Sequence, residues 1–257
     1  MRKWWLLLIL LLTMAGGAGW WFRDPLVTWV QAKLQSIQPE LLRKPKPDPE
    51  KYAVLTVDLE NWRKSLAKRY SAAKTSLERA TIESEARALL EKCLPAMMHC
   101  WLGTRWDFNG TASEPGKGKI ACGYFVATVL KDAGFQVDRY QLAQQPSGNI
   151  LRTFLPKDSC ELTVGKNYQE FATSVAQRPP GVYVVGLDTH VAFIIIRDGK
   201  FRFIHSSGSQ PWCVVDEGPD NAGVLQRSSW RMLGNLTAEP DVIRQWLKAR
   251  KIAVHGT

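Results

Sequence analysis

Cys122 and a few histidines are the residues whose types and surroundings suit covalent chemistry. The run from Ala121 to Gly134 carries Phe125, Val126, Val129, Leu130 and Ala133 at helical spacing, with Gly134 as a natural stop. Followed backwards, that face puts Cys122 at the start of the helix, just after the flexible stretch Pro115–Lys119. A thiol there feels the positive end of the helix dipole, which favours the thiolate. The unsatisfied N–H groups of the first turn can also receive an oxyanion. A cysteine on an apolar helix face is more often simple packing, so the assignment needs a base close by.

The chain has four histidines: His99, His190, His205 and His255. His255 lies in the terminal tail and His99 adjoins Cys100 ahead of a loop. The other two belong to a hairpin that can be worked out. Val191–Ile196 is an apolar run, Asp198-Gly199 is a strong two-residue turn signal, and Lys200–Ile204 returns. This turn pairs Arg197 with Lys200, which sets His190 opposite Ser207 and His205 opposite Ala192. The two histidines then share a face as diagonal neighbours, about 7–8 Å apart at Cα. Slipping the register by one residue would send them to opposite faces. Asp188, two residues before His190, is a second candidate to orient the ring. Cysteine, base and orienter make up the set that nucleophilic catalysis requires.

The remaining elements must position these groups. Asp58 to about Leu94 reads as two helices. The first carries Leu59, Trp62, Leu66, Arg69 and Tyr70 behind an Asp58 cap; the second carries Leu77, Ile82, Ala86, Leu89 and Leu90 and is ended by Pro95. Gly103–Lys119 reads as a loop, Val182–Ser206 is rich in strand-forming residues, and Pro240–Lys251 reads as a terminal helix with Ile243, Trp246 and Leu247 inward.

In this order, the segments resemble the NlpC/P60 group of papain-like cysteine hydrolases over roughly residues 101–207. Trp101–Thr111 resembles the segment before the family's nucleophile, Ile120–Val126 its Cys-led helix, and Pro180–Val185 the strand before its histidine. His190–Ile194 and Phe203–Ser207 resemble the strands carrying the histidine and the third polar residue. The resemblance implies Cys122 as nucleophile, His190 as base and His205 as orienter. It also implies an α+β fold in which the nucleophile helix packs on an antiparallel sheet. Ala121 stands where the family usually has Asp and Gly123 where it usually has Ser. Trp106 stands where a tyrosine often assists the oxyanion; its indole N–H can donate but cannot accept. Trp106 and Asp188 are therefore the candidate oxyanion or substrate contacts. No cofactor and no metal is implied.

Trp4–Phe22 is a nineteen-residue stretch without a charge, preceded by Arg2 and Lys3 and bounded by tryptophan pairs. At about 1.5 Å per residue it spans roughly 28 Å, a bilayer's hydrocarbon core. The alternative is a cleaved signal peptide with an apolar core Leu6–Met14 and small residues at Gly16-Gly17-Ala18. Either way the rest of the chain lies outside the cytoplasm: anchored by a single pass in the inner membrane, or released to the periplasm. Residues 1–23 are thus a signal anchor or signal peptide, and 24–50 a juxtamembrane segment with a Pro-rich linker. Residues 51–257 form the NlpC/P60-like domain, with a helical portion over 51–100. In an oxidising compartment the five cysteines suggest disulfide pairs plus one free thiol.

The net charge is +10, the charged fraction 23% and the hydrophobic fraction 45%, which excludes a disordered chain and a multi-span membrane protein. The basic balance suits an anionic envelope surface. Nucleic acid is not expected as a partner, because the basic residues are dispersed. Together with the resemblance, these features imply a cysteine peptidase or amidase acting on peptidoglycan peptides or another cell-envelope amide. A lipid-directed acyltransferase or amidase, and a non-catalytic wall-binding module, are the alternatives.

Overall fold

The computed structural model describes residues 45–257, and Lys46–Thr257 form one compact unit. The expected membrane anchor or signal (4–22) and most of the 24–50 linker lie outside the described residues. Among the described residues no helix is long and apolar enough to cross a membrane.

Two long antiparallel helices come first, and both depart from the sequence expectation at their ends. α1 is Pro49–Ala72: Pro49 opens the helix and Asp48 Oδ1 caps it by accepting from Lys51 N at 2.9 Å. The helix therefore starts inside the Pro-rich stretch rather than after Asp58, because proline's preset φ and missing N–H cost nothing at a first helical position. α2 is Ser76–His99, entered through a capping box between Thr75 and Glu78. Pro95 does not end it. One lost backbone bond is outweighed by the burial of Leu94, Met97 and Met98 around it. Leu59, Leu66 and Tyr70 pack with Ile82, Ala86 and Leu90, whereas Trp62 and Leu77 of the expected stripes are exposed.

After α2 the chain forms two short parallel-paired strands, β1 (Arg105–Trp106) and β2 (Lys119–Ile120), at the ends of the expected loop. α3 (Cys122–Asp132) follows directly, buries Phe125, Val126, Val129 and Leu130, and stops before Gly134, whose φ of +99° suits glycine. Next come β3 (Gln136–Val137), α4 (Arg139–Ala143), α5 (Ser147–Phe154), β4 (Glu161–Val164) and α6 (Tyr168–Ala176). The remaining elements are β5 (Gly181–Leu187), β6 (Val191–Arg197), β7 (Lys200–Ser206), β8 (Val214–Glu217), α7 (Gly223–Arg227), β9 (Trp230–Asn235), α8 (Pro240–Leu247) and β10 (Lys251–Ile252).

The fold is mixed α+β, built on a six-stranded sheet of order β4-β9-β5-β6-β7-β8 in which every neighbouring pair is antiparallel. The Asp198-Gly199 turn has positive φ at both positions and pairs Arg197 with Lys200, giving the register derived from the sequence. Strands β5 and β6 are buried on both faces along nearly their whole length and read as apolar runs, whereas β7 begins as an alternation, exposed Lys200 and Arg202 alternating with buried Phe201 and Phe203. One face (Val182, Val184, Val191, Phe193, Ile204) joins the core of α1 to α3 and α8; the other (Tyr183, Val185, Ala192, Ile194, Phe203) packs on α6 and α7. The terminal helix ends at Leu247, earlier than expected, because Lys251–Ile252 pairs with β3 instead. Ile243, Trp246 and Leu247 point inward, and Trp246 Nε1 donates to the Ala133 carbonyl at 2.7 Å.

The described residues hold no disulfide, contrary to the pairing expected from the cysteine count. Cys93 and Cys100 are separated by two turns along α2 (about 10 Å of rise), too far for a bridge.

Candidate active site

The segment leading into α3 is held from both sides. Ala121 N donates to the Gly110 carbonyl at 2.9 Å, and the Ser206 hydroxyl of β7 donates to the Ile120 carbonyl at 2.7 Å. Ala121 is the N-cap residue and makes no side-chain cap, so no capping oxygen claims the first-turn N–H groups. The amides of Cys122, Gly123 and Val191 bear instead on the Cys122 thiol. Gly123 is dictated by packing: a Cβ there would lie 2.3 Å from the Ala143 carbonyl oxygen.

Cys122 is half-buried. Burial pushes its thiol above the usual range, and the three amides pull the other way without overcoming it. The thiolate expected from the helix start alone is thus offset at rest: the amides favour it, but loss of water costs more.

His190 closes the tight turn between β5 and β6, where Leu187 N donates to its carbonyl at 2.8 Å. Its Nε2 lies 2.9 Å from Nδ1 of the fully buried His205. Burial, reinforced by His205, pulls the His190 pKa down to about 3, so the ring is neutral through the physiological range. His205 is lowered too, by burial, with Glu217 acting in the opposite sense. The His205 ring packs on Phe203 with centroids 4.3 Å apart.

Of the two candidate orienters, His205 is the one on the His190 ring. The Asp188 carboxylate turns away to β9, taking hydrogen bonds from the Ser228 hydroxyl, from Ser229 N at 3.0 Å and from Trp230 N at 3.1 Å. These bonds, the Ser228 hydroxyl foremost, hold Asp188 below the usual carboxylate range. The other two histidines stand apart from this pair: His99 Nε2 meets Asp216 at 2.9 Å, and His255 stays in the terminal tail.

Two clefts meet at Cys122, with volumes of about 620 and 860 Å³. Cys122, Gly123, Asp188, Thr189 and His190 line both clefts, so the thiol-bearing and imidazole-bearing residues border the same open space. The first cleft extends past Gln145, Asn149, Arg152 and Trp230. The second is walled by Trp106, which packs on Trp212 at 5.4 Å, and by the exposed Phe108.

The sequence reading missed Glu217, whose Oε2 lies 3.1 Å from His205 Nε2. The β7–β8 register pairs Phe203 with Glu217 and His205 with Val215, which makes Glu217 the diagonal neighbour of His205. Nothing in the Val214–Glu217 segment announces this, because the connection before it is a loop rather than a tight turn. Among the described residues no group of His, Cys, Asp or Glu is arranged to hold a metal ion.

No protein-family model, curated protein or solved structure matches this chain.

Proposed function

We propose that this protein is a papain-like cysteine hydrolase of the NlpC/P60 type that cleaves amide bonds, with peptidoglycan stem peptides as the substrate class. The observation that carries the reading is Cys122 at a helix N-terminus, lining the same clefts as a histidine whose Nε2 meets the buried His205. The two-sided cleft suits an extended substrate with groups on both sides of the scissile bond.

In the resting site both thiol and imidazole are neutral. His190 accepts the thiol proton as Cys122 Sγ attacks the amide carbonyl carbon. The first-turn amides receive the developing oxyanion. The C–N bond breaks as His190 returns that proton to the leaving amine, leaving a thioester on Cys122. Water, deprotonated by His190, then releases the acid and restores the thiol.

The test is mass spectrometry of purified wall fragments incubated with the full-length protein and with Cys122→Ala. New free amines in stem peptides with the first and none with the second support the hydrolase. Lipid acyl products in parallel incubations would move the assignment to the acyltransferase reading. Retention of wall fragments without turnover would move it to a binding module.

A further inference from the structure

Glu217 belongs to neither the expected triad nor the cleft wall, yet it ends a buried hydrogen-bonded row. Successive diagonal steps across the sheet carry His190 to His205 at 2.9 Å and His205 to Glu217 at 3.1 Å. The His205 side chain has no solvent exposure, and that of Glu217 has 19%. A buried ring with two ring nitrogens engaged has few ways to arrange its protons, so the far end of the row dictates the near end.

We propose that Glu217 is a positioning residue that selects the histidine tautomers on which the base at Cys122 depends. This deepens the hydrolase reading and rests on it for its consequence in turnover. An ionised carboxylate only accepts, so His205 Nε2 carries the proton. His205 Nδ1 is then a lone pair and accepts from His190 Nε2–H. That leaves the lone pair of His190 on Nδ1, the nitrogen that the hydrolase reading requires as the acceptor of the thiol proton. With the opposite tautomer on His205, Nδ1–H would donate to His190 Nε2, placing the His190 proton on Nδ1 and blocking the base. The carboxylate also stabilises the positive charge that His190 acquires in the reaction, relayed through His205.

The other groups around the row do not compete for this role. Tyr168 of α6 feels Glu217, but burial drives its phenol up to about 12 and its hydroxyl donates to the Pro219 carbonyl at 2.6 Å. Arg231 of β9 and Asp220 act on Tyr168, and the Arg231 guanidinium is spent on the carbonyls of Leu225, Lys166 and Gln226. Asp216, on the other face of β8, is held by His99 and Arg202.

The experiment pairs tautomer assignment with turnover in full-length Glu217→Gln and Glu217→Asp. Gln preserves shape but offers both a donor and an acceptor, so it no longer distinguishes the tautomers. Nitrogen-15 NMR of histidine-labelled protein, sparse with four histidines, should show both His190 and His205 protonated at Nε2 in the parent and a mixture in Glu217→Gln. Turnover should fall at least about tenfold in kcat, with KM little changed and the acid limb of the rate profile displaced to lower pH; Glu217→Asp should recover part of the loss. Unchanged tautomers in Glu217→Gln overturn the proposal whether or not the protein proves to be a hydrolase. Shifted tautomers with unchanged kcat overturn its catalytic consequence. If the parent turns over no amide while the tautomers shift as stated, the hydrolase reading fails and the positioning role stands.

Discussion

Lowering the pH should destabilise this protein through His190 by an amount that follows from its surroundings. The ring titrates at about 3 in the folded chain, mainly because burial excludes water from the cation. In the unfolded chain it titrates near 6.5. The folded pKa is depressed, so the contribution to stability is fully present above about pH 6.5 and is lost as pH falls toward 3. At about 1.4 kcal/mol per pKa unit, the complete loss is roughly 5 kcal/mol. Between pH 7 and pH 5 the unfolded state gains about 0.7 of a proton at this site and the folded state almost none, which costs about 2 kcal/mol. This is an upper figure, because one side of the ring borders the open clefts. The assay is urea denaturation at both pH values for the parent and for His190→Asn, which keeps a polar side chain but does not titrate. With a slope of roughly 2–3 kcal/mol per molar urea, the parent midpoint should drop by about 0.7–1 M more than the variant's. Ionisable groups remote from the ring are common to both proteins and cancel in the comparison. Equal drops would refute the reasoning, since they would mean that His190 takes up its proton in the folded state.

Other perturbations test the same physical account. Gly123→Ala drives a methyl to 2.3 Å from a backbone carbonyl oxygen, so α3 must shift from α4; a loss of about 2 kcal/mol or more in thermal unfolding is expected. Arg139 holds Thr128 Oγ1 at 2.6 Å and the carbonyls of Thr111 and Ala112 at 2.9 and 2.7 Å. Arg139→Lys cannot reproduce that fork and should cost about 1–3 kcal/mol, with faster proteolysis in the 103–119 segment. Because burial raises the Cys122 thiol, alkylation of that residue by iodoacetamide should climb steeply only at alkaline pH; a plateau at neutral pH, read by difference from Cys122→Ala, would show a resting thiolate instead. Trp246→Phe removes the hydrogen bond to Ala133 and should lower stability by about 1 kcal/mol, checked by the same denaturation assay.

The local parts of the site could be read from the chain because they depend on short-range rules. A two-residue turn at Asp198-Gly199 permits one register, and that register places two imidazoles on a diagonal whatever the rest of the fold does. The helical spacing after Ala121 likewise puts Cys122 at a helix start independently of packing. What the chain did not disclose arises from contacts distant in sequence. Glu217 reaches His205 only through the pairing of β8 with β7, and Gly123 answers to the Ala143 carbonyl twenty residues away. The start of α1 at Pro49 and the run of α2 through Pro95 were hidden for a related reason: a proline's effect depends on its position in the helix and on the burial around it. The charge state of the Cys122 thiol is settled only in three dimensions. A helix terminus favours the anion wherever it occurs, but how much water is removed from Cys122 and His190 is set by the whole assembled sheet and its covering helices, and here that removal outweighs the dipole.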